Sequence, residues 1–272
     1  MSELGGSSSM MAILFCFLLP MRISAIVITH NEQANIGDCL KSLDFADEII
    51  VVDSASSDKS ADIARGLGAQ VLVTDDWPGF GPQKNRALAL ARGRWVLSLD
   101  ADERVTPALR DEILSAISRA SGPRVYRFAR QSRYCGQFMR YSGWSPDWVL
   151  RLFQRGTARF SDDLVHEKLV FTGAVGDLKS PLMHYSFPDF ESVLDKANRY
   201  STAGAQALRA KGRRASLWGA IGHGVWAFFR TYVLQRGFMD GQLGLALAIS
   251  NAEGTYYRYA KRWLMLRQEQ SS

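Results

Sequence analysis

Cysteine is scarce in this chain: Cys16, Cys39 and Cys135 are the three, too few and too scattered for a zinc site or a disulfide framework. That usage fits a reducing compartment. No Gly-x-Gly-x-x-Gly follows the first β-branched run and no Walker A sequence occurs, so a dinucleotide-binding crossover and a P-loop are both unexpected. No nucleic-acid-binding motif is visible. A membrane-spanning run is lacking as well. The apolar stretch 10–21 is too short to span a bilayer and has no Lys or Arg before Arg22, unlike a secretory signal. Residues 1–20 are read as a leader that the fold does not need, with a weak membrane contact as the alternative. Finally, no acid occurs over 201–239, where Arg209, Lys211, Arg213, Arg214, Arg230 and Arg236 all lie.

What is there is ample apolar material. With 272 residues, 47% hydrophobic and 22% charged, the chain can bury a sizeable core as one domain, or as one domain with an appendage. A net charge of +6 suits an anionic partner, either a phosphorylated substrate or an acidic membrane surface. Strands are expected at 23–28, 48–52, 71–73 and 95–99. Helices are expected over 36–43, capped by Asn35, from Ser57-Asp58 to about Gly68, and over 83–92. Such alternation implies a parallel sheet with helices on both faces, and ligands in these sheets bind outside the carboxyl ends of the strands. Three strands end in polar clusters: Thr29-His30-Asn31-Glu32, Asp53-Ser54-Ala55-Ser56-Ser57-Asp58 and Asp100-Ala101-Asp102-Glu103. Two carboxylates at i and i+2 behind an apolar strand suit Mg²⁺ or Mn²⁺ held against nucleotide phosphates. The plain competing reading is a solvated strand end entering a turn.

Ile26-Val27-Ile28-Thr29-His30-Asn31-Glu32, Ile50-Val51-Val52-Asp53-Ser54-Ala55-Ser56-Ser57-Asp58, Gln83-Lys84-Asn85-Arg86-Ala87-Leu88 and Leu97-Ser98-Leu99-Asp100-Ala101-Asp102-Glu103 resemble a family 2 inverting glycosyltransferase of the GT-A fold. Gly143-Trp144-Ser145-Pro146-Asp147-Trp148-Val149-Leu150-Arg151-Leu152-Phe153 and Val165-His166-Glu167 resemble the bacterial branch that adds a glucose-type sugar to the lipopolysaccharide inner core. The resemblance covers about 22–262. It implies an α/β GT-A catalytic domain over 21–188 with a helical extension over 189–272. It also implies that Thr29, Asn31 and Glu32 line base and ribose, that Asp53 pairs with the uracil edge, and that Lys84 and Asn85 sit near the nucleotide. Asp100 would touch ribose or metal, and Asp102 would ligate the divalent cation. Two bland alternatives stand beside these: Asp53 as a turn or capping acid, and Lys84 as an exposed helix lysine.

Inverting transfer needs one general base for the acceptor hydroxyl, from a segment later than Asp102. Glu167, with His166 beside it, is the candidate that the resemblance implies. Its structural alternative is a surface pairing with Lys168 or Arg159. Asp147 competes for the role, lying between Trp144 and Trp148 in a loop suited to a sugar. Arg151, a charge in an apolar run, should meet a phosphate or a carboxylate. His184 is a possible further metal ligand, as in some GT-A enzymes. From Phe190 the pattern turns helical to about 266, broken at Gly237-Phe238-Met239-Asp240-Gly241. The basic, aromatic-rich part suits a helix in the headgroup region of an anionic bilayer, against the alternative of an ordinary helix packed on the catalytic domain. The expected partners are a UDP-sugar, a lipid A-core acceptor and the anionic inner-membrane surface, with no nucleic acid. The expected location is peripheral, at the cytoplasmic face of the inner membrane. A polyprenyl phosphate or other polysaccharide acceptor, and a non-catalytic membrane-bound scaffold, are the alternatives.

Overall fold

The computed structural model describes residues 22–162 and 167–271; the expected leader over 1–20 and His166 lie outside them. The chain divides into two compact units. One runs to Phe128 and resumes over Val149–Ser180, and the other comprises Ala129–Trp148 and Pro181–Ser272.

The first unit begins with β1 (Ile23–Thr29), α1 (Ile36–Lys41), β2 (Glu48–Asp53), α2 (Ser60–Gly66), β3 (Gln70–Val73), α3 (Phe80–Leu90) and β4 (Trp95–Asp100). Every residue of β1 is buried, as a near-continuous apolar strand covered on both faces should be. It pairs in parallel with β2 on one side and β4 on the other, and β3 joins β2 in the same sense. Thr29 lies opposite Asp53, and Ile28 opposite Asp100. The three strand tips therefore end at one sheet edge. The helices differ in detail from their sequence expectation. Asn35 makes no cap; its amide donates to the Glu32 carboxylate instead. The third helix starts at Phe80, so Pro82 falls in its first turn, where a missing N–H breaks no helical bond.

Then come β5 (Glu103–Val105) and α4 (Pro107–Ser118), capped by the Thr106 side chain with proline at its first position. Strand β6 (Val125–Tyr134) carries the boundary between the units, followed by β7 (Gln137–Phe138) and β8 (Asp147–Gln154). Residues 152–154 of β8 run antiparallel to β4. The short strands β9 (Ala158–Phe160) and β10 (Leu169–Phe171) pair antiparallel, and β11 (Val175–Asp177) pairs with the start of β6. Ile26, Ile50, Val52, Val96, Phe153 and Phe160 centre the core.

In the second unit the end of β6 pairs in parallel with β12 (Leu182–Phe187). Helices α5 (Phe190–Ala210), α6 (Leu217–Phe229) and α7 (Gly241–Ser271) follow, with a π-helical turn at Arg230–Leu234 and a 3-10 turn at Gly237–Asp240. Tyr134, Met139, Val193 and Leu247 form its core, and the Tyr134 hydroxyl is 2.9 Å from Ser250 Oγ. Asp240 at the expected break is buried and accepts the N–H groups of Arg140 and Tyr141 and the Ser142 hydroxyl. Among the described residues no helix is long and apolar enough to cross a membrane.

Candidate active site

The edge formed by β1, β2 and β4 is lined by polar groups whose loops are tied to one another. Asp53 is buried, and its two oxygens accept the Ser56 N–H at 2.9 Å and the Ser56 hydroxyl at 2.5 Å. Asn31, at φ 55°, donates its N–H to Ser56 Oγ and accepts from the Ser57 N–H. The Glu32 N–H donates to Ser60 Oγ at 2.7 Å. These bonds fix the loop after β1 against the loop after β2. Thr29 Oγ1 is buried at the strand tip with no hydrogen-bond partner among the described residues, a costly state that a ligand's polar group would relieve.

Beside this edge runs a chain of alternating charge. Lys84 is 1% exposed, which corrects the reading of it as a solvated helix lysine. Its Nζ lies 2.6 Å from Glu167 Oε1 and 3.0 Å from Asp100 Oδ1. The other Asp100 oxygen accepts from the Arg151 guanidinium, which also donates to Glu103 at 2.8 Å. Glu103 is fully buried and accepts the Asp100 N–H as well, at 3.0 Å. Glu167, Lys84, Asp100, Arg151 and Glu103 thus form one ion-paired series within the first unit. Burial alone would raise the Asp100 carboxyl, but the Arg151 and Lys84 charges outweigh it and hold that acid far below the usual carboxylate range. Burial would likewise lower the Arg151 pKa, yet Asp100 and Glu103 keep it above its ordinary value.

Arg151 therefore meets carboxylates, one of the two partners its apolar strand demanded. Glu103 is the group that sequence reasoning missed. The available signal was Arg151 itself, because a buried cation in an apolar strand needs buried acid to match it. Glu167 pairs with Lys84 rather than with Lys168 or Arg159; Arg159 lies 3.9 Å from Asp162 instead. Asn85 uses both ends of its amide on the Phe160 backbone, at 3.0 Å each way, which ties α3 to β9. Gly81 allows α3 to approach the strand end beyond: a Cβ there would lie 1.8 Å from the Ser161 carbonyl oxygen.

Asp102 sits partly buried in the turn between β4 and β5. Among the described residues no group of three or more His, Cys, Asp and Glu side chains could enclose a metal ion. The described residues therefore offer no all-protein cage. What is offered is a pair of hard oxygen donors, Asp100 and Asp102, which fits a cation shared with substrate phosphates.

The remaining candidates belong to the second unit. His184 Nδ1 is 2.8 Å from the Ser132 hydroxyl. Trp144 packs edge-on against Tyr134 at 5.8 Å and, tilted by 34°, against Phe187 at 5.6 Å. Asp147 accepts from Arg130 at 2.9 and 2.7 Å, and Trp148 is exposed.

Residues 24–169 match the model of the family described as Glycosyl transferase family 2. The lipopolysaccharide core biosynthesis glycosyltransferase LpsC of Rhizobium meliloti (strain 1021) is 31% identical over 259 residues, covering 88% of this chain and 93% of that protein. An uncharacterized glycosyltransferase of Rickettsia prowazekii (strain Madrid E), RP128, is 31% identical over 252 residues, covering 88% and 86%. The crystal structure of S. aureus TarS 1–349 in complex with UDP-GlcNAc covers 92% of each chain at 16% identity, with a TM-score of 0.47. With the family's model spanning more than half of its length, and relatives matching nearly all of it, this chain belongs to glycosyl transferase family 2 and is a glycosyltransferase of the α/β GT-A fold.

Proposed function

We propose that this glycosyltransferase moves glucose from a UDP-sugar onto the inner-core oligosaccharide of lipopolysaccharide, with inversion, while peripheral at the cytoplasmic face of an anionic inner membrane. The observation that carries the reading is the shared register of the strand tips: Thr29 beside Asp53, and Asp100 on the next strand, with Glu167 joined to Asp100 through Lys84. The 31% identity to LpsC, whose name places it in lipopolysaccharide core biosynthesis, supports the acceptor class.

In this reading Asp53 accepts the N3–H of uracil, a contact that cytosine's bare N3 cannot make. Thr29, Asn31 and Glu32 border the base and ribose. Asp102, assisted by Asp100, would hold Mg²⁺ or Mn²⁺, which when bound would offset charge on the leaving diphosphate. The acceptor hydroxyl oxygen bonds to the anomeric carbon on the face opposite the C–O bond to UDP. As that bond breaks, the hydroxyl proton passes to Glu167. Lys84 positions Glu167 and screens it from Asp100 by standing between the two acids.

A donor screen tests the reading. Full-length protein is incubated with UDP-glucose, other UDP-sugars and lipopolysaccharide from a core-truncated strain, and UDP release is measured with and without Mn²⁺ or Mg²⁺. Acceptor-dependent, metal-dependent UDP release from UDP-glucose is expected. Failure of any nucleotide-sugar to be consumed under either metal contradicts it.

A further inference from the structure

Helix α6 is built inside out. Its inward positions carry the small residues Ala220, Gly224 and Ala227, all buried. At Gly224 a Cβ would lie 3.2 Å from the Ala252 carbonyl oxygen and from Tyr256 Cβ, so α6 and α7 approach too closely for a large side chain. Its bulky residues point the other way. Trp218 is 80% exposed, Val225 65% and Trp226 54%, with Ile221 and Phe229 exposed beside them. At about 100° per residue, 218, 221, 225, 226 and 229 fall on one side of the helix, opposite 220, 224 and 227. The turns that follow extend the surface with exposed Val233, Leu234, Phe238 and Met239. A helix in an ordinary soluble domain turns its large apolar side chains inward and its polar ones outward, the reverse of this arrangement.

Charge says what the surface meets. Lys211, Arg213 and Arg214 precede the helix and Arg230 and Arg236 follow it, all of them exposed. No acid lies anywhere over 201–239. An apolar face with cations at both ends fits an anionic bilayer, where the aromatics enter the acyl boundary and the basic side chains reach phosphate headgroups. The helix has 13 residues and is roughly 20 Å long, too short to cross a hydrocarbon core of about 30 Å. It must lie in the plane of the surface.

We infer that the outward face of α6, with the turns Arg230–Leu234 and Gly237–Asp240, is the docking surface by which the protein lies on an anionic lipid bilayer. This deepens the peripheral location proposed above by naming the residues that enter the lipid. The partner is the bilayer itself, recognised by phosphate charge and acyl chains, rather than the glycan acceptor.

The test is flotation of full-length protein with vesicles of phosphatidylethanolamine and phosphatidylglycerol, and with vesicles of phosphatidylcholine alone, in the absence of any nucleotide. The wild-type protein should float with the anionic vesicles, weakly with the neutral ones, and less as salt rises. Trp218→Ser/Trp226→Ser/Phe229→Ser should reduce anionic binding at least tenfold, and Arg213→Glu/Arg214→Glu should abolish the preference for anionic lipid. Thermal unfolding and UDP release in detergent-solubilised acceptor should stay unchanged in both variants, which separates this inference from the catalytic reading. Wild-type protein that fails to float, or a triple variant that floats equally well, overturns it. A wild-type dimer in sedimentation that the triple substitution converts to monomer, without vesicle binding, also overturns it and assigns the face to a second copy of the chain.

Discussion

Arg151 and Glu103 hold Asp100 in place. Removing the guanidinium by Arg151→Ala takes the paired cation from buried Glu103 and leaves Asp100 with the Lys84 ammonium, and breaking such a buried pair costs about 3–5 kcal/mol. Urea unfolding should show a loss of that order, and Arg151→Lys, which keeps the charge but not the fork, an intermediate one. The depressed Asp100 pKa sets a direction in pH. Its ionised form contributes stability that is complete above the unfolded-state value of about 4, and this contribution fades as pH falls towards the folded-state value. Thermal melts should therefore fall steeply below about pH 4 for the wild-type protein and less steeply for Asp100→Asn, which has no carboxylate there to protonate. Glu167→Gln keeps a polar partner for Lys84 but removes the base. It should lower kcat by at least about 100-fold with little change in the donor KM. An unchanged kcat would remove Glu167 from the chemistry.

The short elements around α3 explain how Glu167, the proposed base, comes to stand near the strand tips from so far along the sequence. The helix is fixed to β9 by the two-way Asn85–Phe160 amide bond, and Gly81 lets its first turn lie against the Ser161 carbonyl. Gly81→Ala would push that strand end away from α3, and with it Glu167, whose Cβ is 3.4 Å from the same position. We expect kcat to fall at least tenfold while urea unfolding shows a cost of about 1–3 kcal/mol, the range for overpacking. This is also where the sequence stopped being readable. The strands β1, β2 and β4 were legible because β-branched runs ending in acids leave few alternatives, and their common edge followed from strand–helix alternation. The start of α3 was not, because Pro82 and three nearby glycines and prolines resemble a loop until Pro82 is seen within the first turn. Lys84 resembled a surface lysine because its two acids lie 16 and 83 positions away, beyond the reach of any local pattern. Trp144 was open to two readings, a face for a sugar or part of a core, and it packs against Tyr134 and Phe187.

Taken together, the first unit carries the acids, their cations and Glu167, while the second carries α5, α6, α7 and the outward aromatic face of α6. The proposed chemistry and the proposed lipid contact thus lie on different stretches of chain, and substitutions in one should leave the other's readout intact. The central claim remains that neighbouring strand tips make a single nucleotide site. Calorimetric titration of UDP and of CDP, each with Mn²⁺, into the wild-type, Asp53→Asn and Asp102→Asn proteins tests it most directly. The wild-type protein should prefer UDP. That preference should shrink by about tenfold or more in Asp53→Asn, whose amide can donate to cytosine, and both nucleotides should weaken in Asp102→Asn. Equal affinities for UDP and CDP that neither substitution alters, in proteins that stay folded, would contradict it.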